Sequence, residues 1–159
     1  MKLWQFLREI GGNVSMATPI IVPDASVILK WVFHSPDEQS RDKALDILNF
    51  WLAGKGEMIL PKLWAFEVGN VLGLKNPQFA QEIMEIFIGY RFPEYETTPE
   101  ICRETFKLMK QYRVTFYDAV YHAVALLKKG TMITTDKAYY RKAAKTGNVV
   151  MLEDFSMEI

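Results

Sequence analysis

The 159-residue chain is half hydrophobic and carries 19 Lys+Arg against 19 Asp+Glu, a formal net charge of zero. The length suits one domain with a sizeable core, and the charge balance excludes a globally basic nucleic-acid binder, so any such contact needs a local basic patch. The single Cys102 rules out an internal disulfide and points to a reducing, cytoplasmic setting, and no apolar run reaches membrane-spanning length.

Residues 1–17 read as an N-terminal extension. Leu3, Trp4, Phe6, Leu7 and Ile10 space out one or two helical turns, and Gly11-Gly12-Asn13 breaks them; Met16 is an alternative start. There is no uninterrupted apolar core of the kind a secretory signal needs. Residues 18–159 then form the one domain. Ile20-Ile21-Val22 is a short buried strand whose ladder is expected to stop at Pro23, because proline has no N–H to donate. Asp24 follows it. Ser26–Phe33 reads as a short helix, and Ser35-Pro36-Asp37-Glu38 opens another that Gly54 closes. Met58-Ile59-Leu60 is predicted as one strand, with Pro61 the first residue of a helix over Lys62–Leu74.

A helix is expected over Pro77–Tyr90, a strand over Phe92–Thr97, and a helix starting at Thr98-Pro99-Glu100. Thr115–Lys129 is the strongest helix: Thr115 can cap it, Asp118 stands in the reciprocal capping-box position, and Lys128-Lys129-Gly130 ends it. Thr131–Thr135 is a strand, Lys137–Lys145 a helix and Val149–Leu152 the last strand. Strands separated by helices imply an α/β fold with a central, mainly parallel sheet flanked by helical layers.

Four acids stand apart by position. Asp24 and Asp136 each follow a strand, Asp118 lies in the first turn of its helix, and Glu67 lies in the second turn of the helix begun at Pro61. In a parallel sheet all four can face the rim at the strands' carboxyl ends, where ligands gather. Carboxylates brought together raise one another's pKa, and a hard divalent cation, Mg²⁺ or Mn²⁺, relieves that conflict. The plain alternative is that Asp24, Asp118 and Asp136 are helix caps, which Asn serves as well as Asp. Glu67 is too deep in its helix to cap and needs another partner.

The segments Val22-Pro23-Asp24-Ala25-Ser26, Phe66-Glu67-Val68-Gly69-Asn70-Val71-Leu72, Thr115-Phe116-Tyr117-Asp118-Ala119-Val120-Tyr121 and Thr134-Thr135-Asp136 occur in order over residues 20–152. This wording resembles the PIN-domain family, most closely the VapC-type ribonuclease toxins of type II toxin–antitoxin modules. The resemblance implies a PIN-like three-layer α/β/α fold, with Asp24, Glu67, Asp118 and Asp136 as catalytic, metal-holding acids. It implies Ser26, Asn70 and Thr134 as groups that orient carboxylates or waters. The long N-terminal extension and Pro23 before the first acid depart from the family's usual pattern. Neither touches the acids.

The resemblance further implies hydrolysis of RNA phosphodiesters by water activated at Mg²⁺ or Mn²⁺, a small antitoxin that blocks the site, and a homodimer. No histidine base is required: His34 falls in a loop, and His122 is expected to be a satisfied histidine between helices. Lys137, Arg141, Lys142 and Lys145 make a basic run after Asp136, with Lys137 and Arg141 on one face, as candidate phosphate contacts. Phe116, Tyr117 and Tyr121 are candidate base-stacking rings, with core packing the favoured reading. The apolar face of Pro77–Tyr90 is a candidate antitoxin or dimer contact. Competing readings are a PIN nuclease of RNA processing without an antitoxin, and a binding module without catalysis. A receiver or dehalogenase-like phosphatase fits poorly, because Pro23, Ala25 and Ser26 occupy the places where those folds carry a second acid.

Overall fold

The computed structural model describes residues 18–33 and 38–157. The expected turns within residues 1–17, the His34 loop and the Ser35-Pro36-Asp37 helix start lie outside the described residues. In chain order the elements are β1 (Ile20–Pro23), α1 (Ala25–Lys30), α2 (Glu38–Leu52), β2 (Glu57–Met58), β3 (Leu60–Pro61), α3 (Trp64–Lys75), α4 (Ala80–Gly89), β4 (Glu94–Tyr95), α5 (Pro99–Tyr112), α6 (Phe116–Lys128), β5 (Thr131–Thr134), α7 (Lys137–Ala143) and β6 (Val149–Met151). Single 3-10 turns follow at Ala144–Thr146 and Leu152–Asp154.

The main sheet has the order β2-β1-β5-β6, parallel throughout. Successive residues of a strand point to opposite faces. Ile21 and Val22 in β1, like Met132 and Ile133 in β5, are all buried, so helices cover both faces and the fold is a three-layer α/β/α. This is the expected fold class. From β1 the chain turns first to β2 on one side and later to β5 on the other. The order therefore reverses between β1 and β5, and a crevice opens at their carboxyl ends.

Pro23 does not end its ladder. It pairs with Ile133, and the next residue donates Asp24 N–H to Ile133 C=O at 3.0 Å. Pro19 and Ile21 present their carbonyls to the β2 side, where Glu57 and Ile59 donate to them. Pro23 faces that same side, past the point where the neighbouring strand has left, so its missing N–H removes no bond. The expected single strand at Met58–Leu60 is two. It leaves β1 at Ile59 and pairs through Leu60 and Pro61 with β4, in a second parallel ladder. Pro61 is thus a strand residue rather than a helix start, α3 begins at Trp64, and Glu67 lies in its first turn rather than its second. The expected strand at Phe92–Thr97 shrinks to Glu94–Tyr95. Phe92 instead packs among Trp31, Trp51, Trp64 and Tyr90, with ring centroids 5.0–5.7 Å apart.

Helix α6 is the central helix: every residue from Ala119 to Ala125 is buried. Thr115 caps it, accepting the Asp118 N–H at 3.2 Å. At its other end the left-handed residue is Lys129, not Gly130. Gly130 is required for a different reason. A Cβ there would stand 2.7 Å from the Ile20 carbonyl oxygen, so only glycine lets the chain enter β5 against β1.

Candidate active site

Asp24 sits at the crevice between β1 and β5, 9 % exposed. It is also the N-cap of α1, with Oδ1 accepting the Val27 N–H at 3.3 Å. A cap needs one oxygen, and here both are engaged by hydroxyls. Ser26 Oγ donates to Oδ1, and Thr134 Oγ1, from the end of β5, donates to Oδ2. The hydroxyls are themselves pinned by backbone: Ser26 Oγ accepts the Thr135 N–H at 3.1 Å, and Thr134 Oγ1 accepts the Asp136 N–H at 3.0 Å. Burial pushes the Asp24 carboxyl up to about 6, against the pull of these donors.

Glu67 points from the first turn of α3 toward α6, where Tyr121 donates its hydroxyl to Oε2 at 3.3 Å. Burial and then the Asp24 charge push its carboxyl up to about 7; the Tyr121 bond opposes this and the Asp118 charge adds to it. Asp118 is raised by burial and by the Asp136 charge, and lowered by Thr115 and Lys142. Its carboxylate accepts the Thr115 hydroxyl at 3.0 Å, a side-chain contact in place of the expected bond to the cap's backbone N–H. Asp136 caps α7, accepting the Tyr139 N–H at 3.0 Å.

The four acids are therefore electrostatic neighbours in series: Asp24 with Glu67, Glu67 with Asp118, Asp118 with Asp136. Among the described residues no three His, Cys, Asp or Glu side chains already stand as a closed metal cage. No ion pair engages any of the four among the described residues. The donor set, all carboxylate oxygen and short of positive charge, fits a hard divalent cation that would draw it together.

The other candidates divide. Ser26 and Thr134 brace Asp24 directly. Asn70 is exposed one turn beyond Glu67, and its side chain has no hydrogen-bond partner among the described residues. On α7, Lys137 and Arg141 are exposed, while the Lys142 ammonium reaches the Arg113 carbonyl at 3.4 Å. His122 is buried, bonded to the Tyr139 hydroxyl at 2.8 Å and the Gly147 carbonyl at 2.7 Å, and burial lowers its pKa. It is the satisfied histidine the sequence suggests. Of the candidate stacking rings, Tyr121 is buried and Phe116 packs on Phe106, leaving Tyr117 exposed. Tyr121, expected only as a core or stacking ring, is the partner of Glu67; its position three residues after Asp118 puts it on that acid's helix face, but the bond to Glu67 depends on packing between distant elements.

The PIN domain family is matched over residues 21–145, most of the chain. The chain belongs to the PIN domain family. Three solved structures share this PIN fold. A toxin–antitoxin complex from Klebsiella pneumoniae is 16% identical with a TM-score of 0.60, covering 88% of this chain and 100% of that one. VapBC2 from Rickettsia felis, bound to a promoter DNA fragment, is 14% identical with a TM-score of 0.61, covering 83% and 96%. Mycobacterium tuberculosis VapC20, described as a sarcin-ricin loop cleaving toxin, is 14% identical with a TM-score of 0.59, covering 82% and 96%. At these identities the likeness is one of fold. No curated protein matches this PIN chain by sequence. Among the described residues no helix is long and apolar enough to cross a membrane.

Proposed function

We propose that this PIN domain is a Mg²⁺- or Mn²⁺-dependent endoribonuclease, acting in the cytoplasm as the toxin of a type II toxin–antitoxin pair. The observation that carries the reading is the pair Asp24 and Glu67. Two neighbouring carboxyls, Asp24 held at about 6 by burial and Glu67 at about 7 by burial and the Asp24 charge, sit at the topological switch point with no ion-pair partner among the described residues. Such an arrangement is unfavourable for a resting protein and suited to a divalent ion.

Asp24, Glu67, Asp118 and Asp136 are the ligands in this reading. Together they would hold a divalent ion, whose chemistry there would be to activate water and to neutralise charge developing on the phosphoryl group. The chain supplies orientation. Ser26 and Thr134 fix both oxygens of Asp24, Tyr121 fixes Glu67 and Thr115 fixes Asp118. Asn70, exposed beside Glu67, orients water at the rim. His122, buried and bonded at both ring nitrogens, moves no proton in the reaction. Lys137, Arg141 and Lys142 hold RNA phosphates beside Asp136.

Residues 18–159 form the one PIN domain, with 1–17 as an extension. A protein partner is supported by the large apolar side chains exposed along α3, α4 and the turn joining them: Phe66, Leu74, Phe79, Ile86 and Ile88. The fold neighbours that are toxin–antitoxin complexes favour a small antitoxin as that partner, and a homodimer is the other occupant this reading assigns to the surface. The VapC20 neighbour favours RNA as substrate. The test is cleavage of mixed cellular RNA by wild type and Asp24→Asn with Mg²⁺, Mn²⁺ or EDTA. Metal-dependent cutting lost in the variant is expected; metal-independent cutting, or equal cutting by the variant, overturns the reading.

A further inference from the structure

Two clefts adjoin the acidic centre, and Asp118 lines neither. One, of about 270 Å³, is lined by Lys30, Ser40, Thr135, Lys137, the last residue of β6 and the turn after it, including Glu153. The other, of about 240 Å³, is lined by Ser26, Leu29, Lys30, Phe33, Val71, Lys75 and Thr135. They share Lys30 and Thr135. The shared Thr135 ties both to the acidic centre, since its N–H is accepted by Ser26 Oγ, which lines the second cleft and donates to the Asp24 carboxylate. Both clefts fall below the roughly 300–1,000 Å³ of pockets that enclose a whole small molecule. Each suits a single unit of a longer ligand.

The lining has a definite chemistry. Lys30, Lys75 and Lys137 come from three different helices, α1, α3 and α7, and none has an ion-pair partner among the described residues. The one acid in either wall, Glu153, has its backbone carbonyl taken by Lys43. Leu29, Phe33 and Val71 are half-buried and make one wall of the second cleft apolar. A row of cations beside an apolar, aromatic wall matches a ligand with repeating negative charge and flat apolar faces, which is a single nucleic-acid strand.

We propose that Lys30, Lys75 and Lys137 form a cationic strip that seats successive phosphates of single-stranded RNA beside Asp24, while Leu29, Phe33 and Val71 receive one base. This rests on the nuclease reading above and gives it a strand path. That path crosses the Ser26–Thr135 wall, with Lys137 as its only member from the basic run of α7. Lys30 and Lys75 are far from that run in sequence and are joined to it only by the fold.

The experiment measures binding of a fluorescent single-stranded RNA oligonucleotide to the full chain in EDTA, so that binding is read without cleavage, from about 50 to about 200 mM salt. Each lost phosphate contact lowers the slope of log affinity against log salt by about 0.7 for single strands, so the triple variant Lys30→Ala/Lys75→Ala/Lys137→Ala loses about 2. Its affinity falls roughly tenfold or more at the low-salt end, and Lys107→Ala, a lysine already paired with Glu104, changes neither quantity. Phe33→Leu, which keeps apolar volume and removes the ring, weakens binding by about tenfold with the slope unchanged. Thermal melting of each variant verifies folding. An unchanged slope in the folded triple variant overturns the strip. Tighter lysine-dependent binding of duplex DNA than of single-stranded RNA overturns the choice of ligand. Either result leaves metal-dependent cleavage to stand or fall separately.

Discussion

Asp24→Asn should abolish activity and make the metal-free protein more stable. The carboxyl is 9 % exposed and stands at about 6 instead of the usual 3.8. At 1.36 kcal/mol per pKa unit, its ionised form is less favourable in the fold than in the unfolded chain by about 3 kcal/mol at neutral pH. Asparagine removes that charge, still caps α1, and relieves Glu67 of the Asp24 charge. It loses one good acceptor, because the amide NH₂ must face either the Ser26 or the Thr134 hydroxyl, at a cost of about 1 kcal/mol. The net gain is about 1–2 kcal/mol, a rise in Tm of about 3–6 °C for a chain this size.

The pH dependence follows in sign. A carboxyl with a raised pKa takes up a proton more readily when folded, so wild-type stability falls as pH rises from about 4 to about 6 and then levels. The gap to Asp24→Asn opens over that same window and closes below it. Melting by circular dichroism in EDTA, at several pH values, reads both. Adding Mg²⁺ or Mn²⁺ reverses the order at neutral pH. An ion at a hundred times its Kd stabilises the wild type by about 2.7 kcal/mol and leaves the variant untouched. A variant that melts at or below the wild type at neutral pH in EDTA, with no pH-dependent gap, would refute the claim that this carboxylate is buried against its own preference.

Asp136→Asn should keep the bond to the Tyr139 N–H and change stability by less than about 0.5 kcal/mol, whereas Asp136→Ala loses about 1 kcal/mol of capping; both lose metal-induced stabilisation in the same melting assay. Tyr121→Phe removes the donor that holds Glu67 down from a still higher pKa, so the acid limb of the activity profile moves up from the region of pH 7, with a loss of stability of about 1 kcal/mol by denaturant titration. Gly130→Ala places a methyl 2.7 Å from the Ile20 carbonyl oxygen and forces β5 away from β1, a loss of about 1–3 kcal/mol by urea melt; an unchanged midpoint there would mean that the two strands separate at no cost.

Much of the fold is legible in the chain because its causes are local. The apolar run before Asp24, the Thr115 and Thr98 caps and the helical spacing of the apolar residues each act within a few positions, so β1, α5, α6 and β5 fall where the pattern puts them. The single strand at Met58–Leu60 and the helix start at Pro61 misread the chain for the complementary reason. The switch at Ile59 from β1 to β4 depends on a partner more than thirty residues away, and nothing in Met58-Ile59-Leu60-Pro61 signals it. Phe92, placed in a strand by its β propensity, joins an aromatic cluster instead, because burial against three tryptophans outweighs a short edge ladder.

What the sequence by itself determined is the kind of chemistry: acids placed after strands and at helix starts, in the order and wording of a PIN domain. Only the tertiary structure decided the energetics of those acids. Burial raises Asp24, Glu67 and Asp118, the charges of Asp24 and Asp118 raise Glu67 further and that of Asp136 raises Asp118, and these approaches join elements distant in the chain. The same holds for the groups that support them. Thr134 reaches Asp24 across 110 positions and Tyr121 reaches Glu67 across 54, contacts that exist because β5 lies beside β1 and α6 beside α3, and that no spacing of residues along the chain encodes.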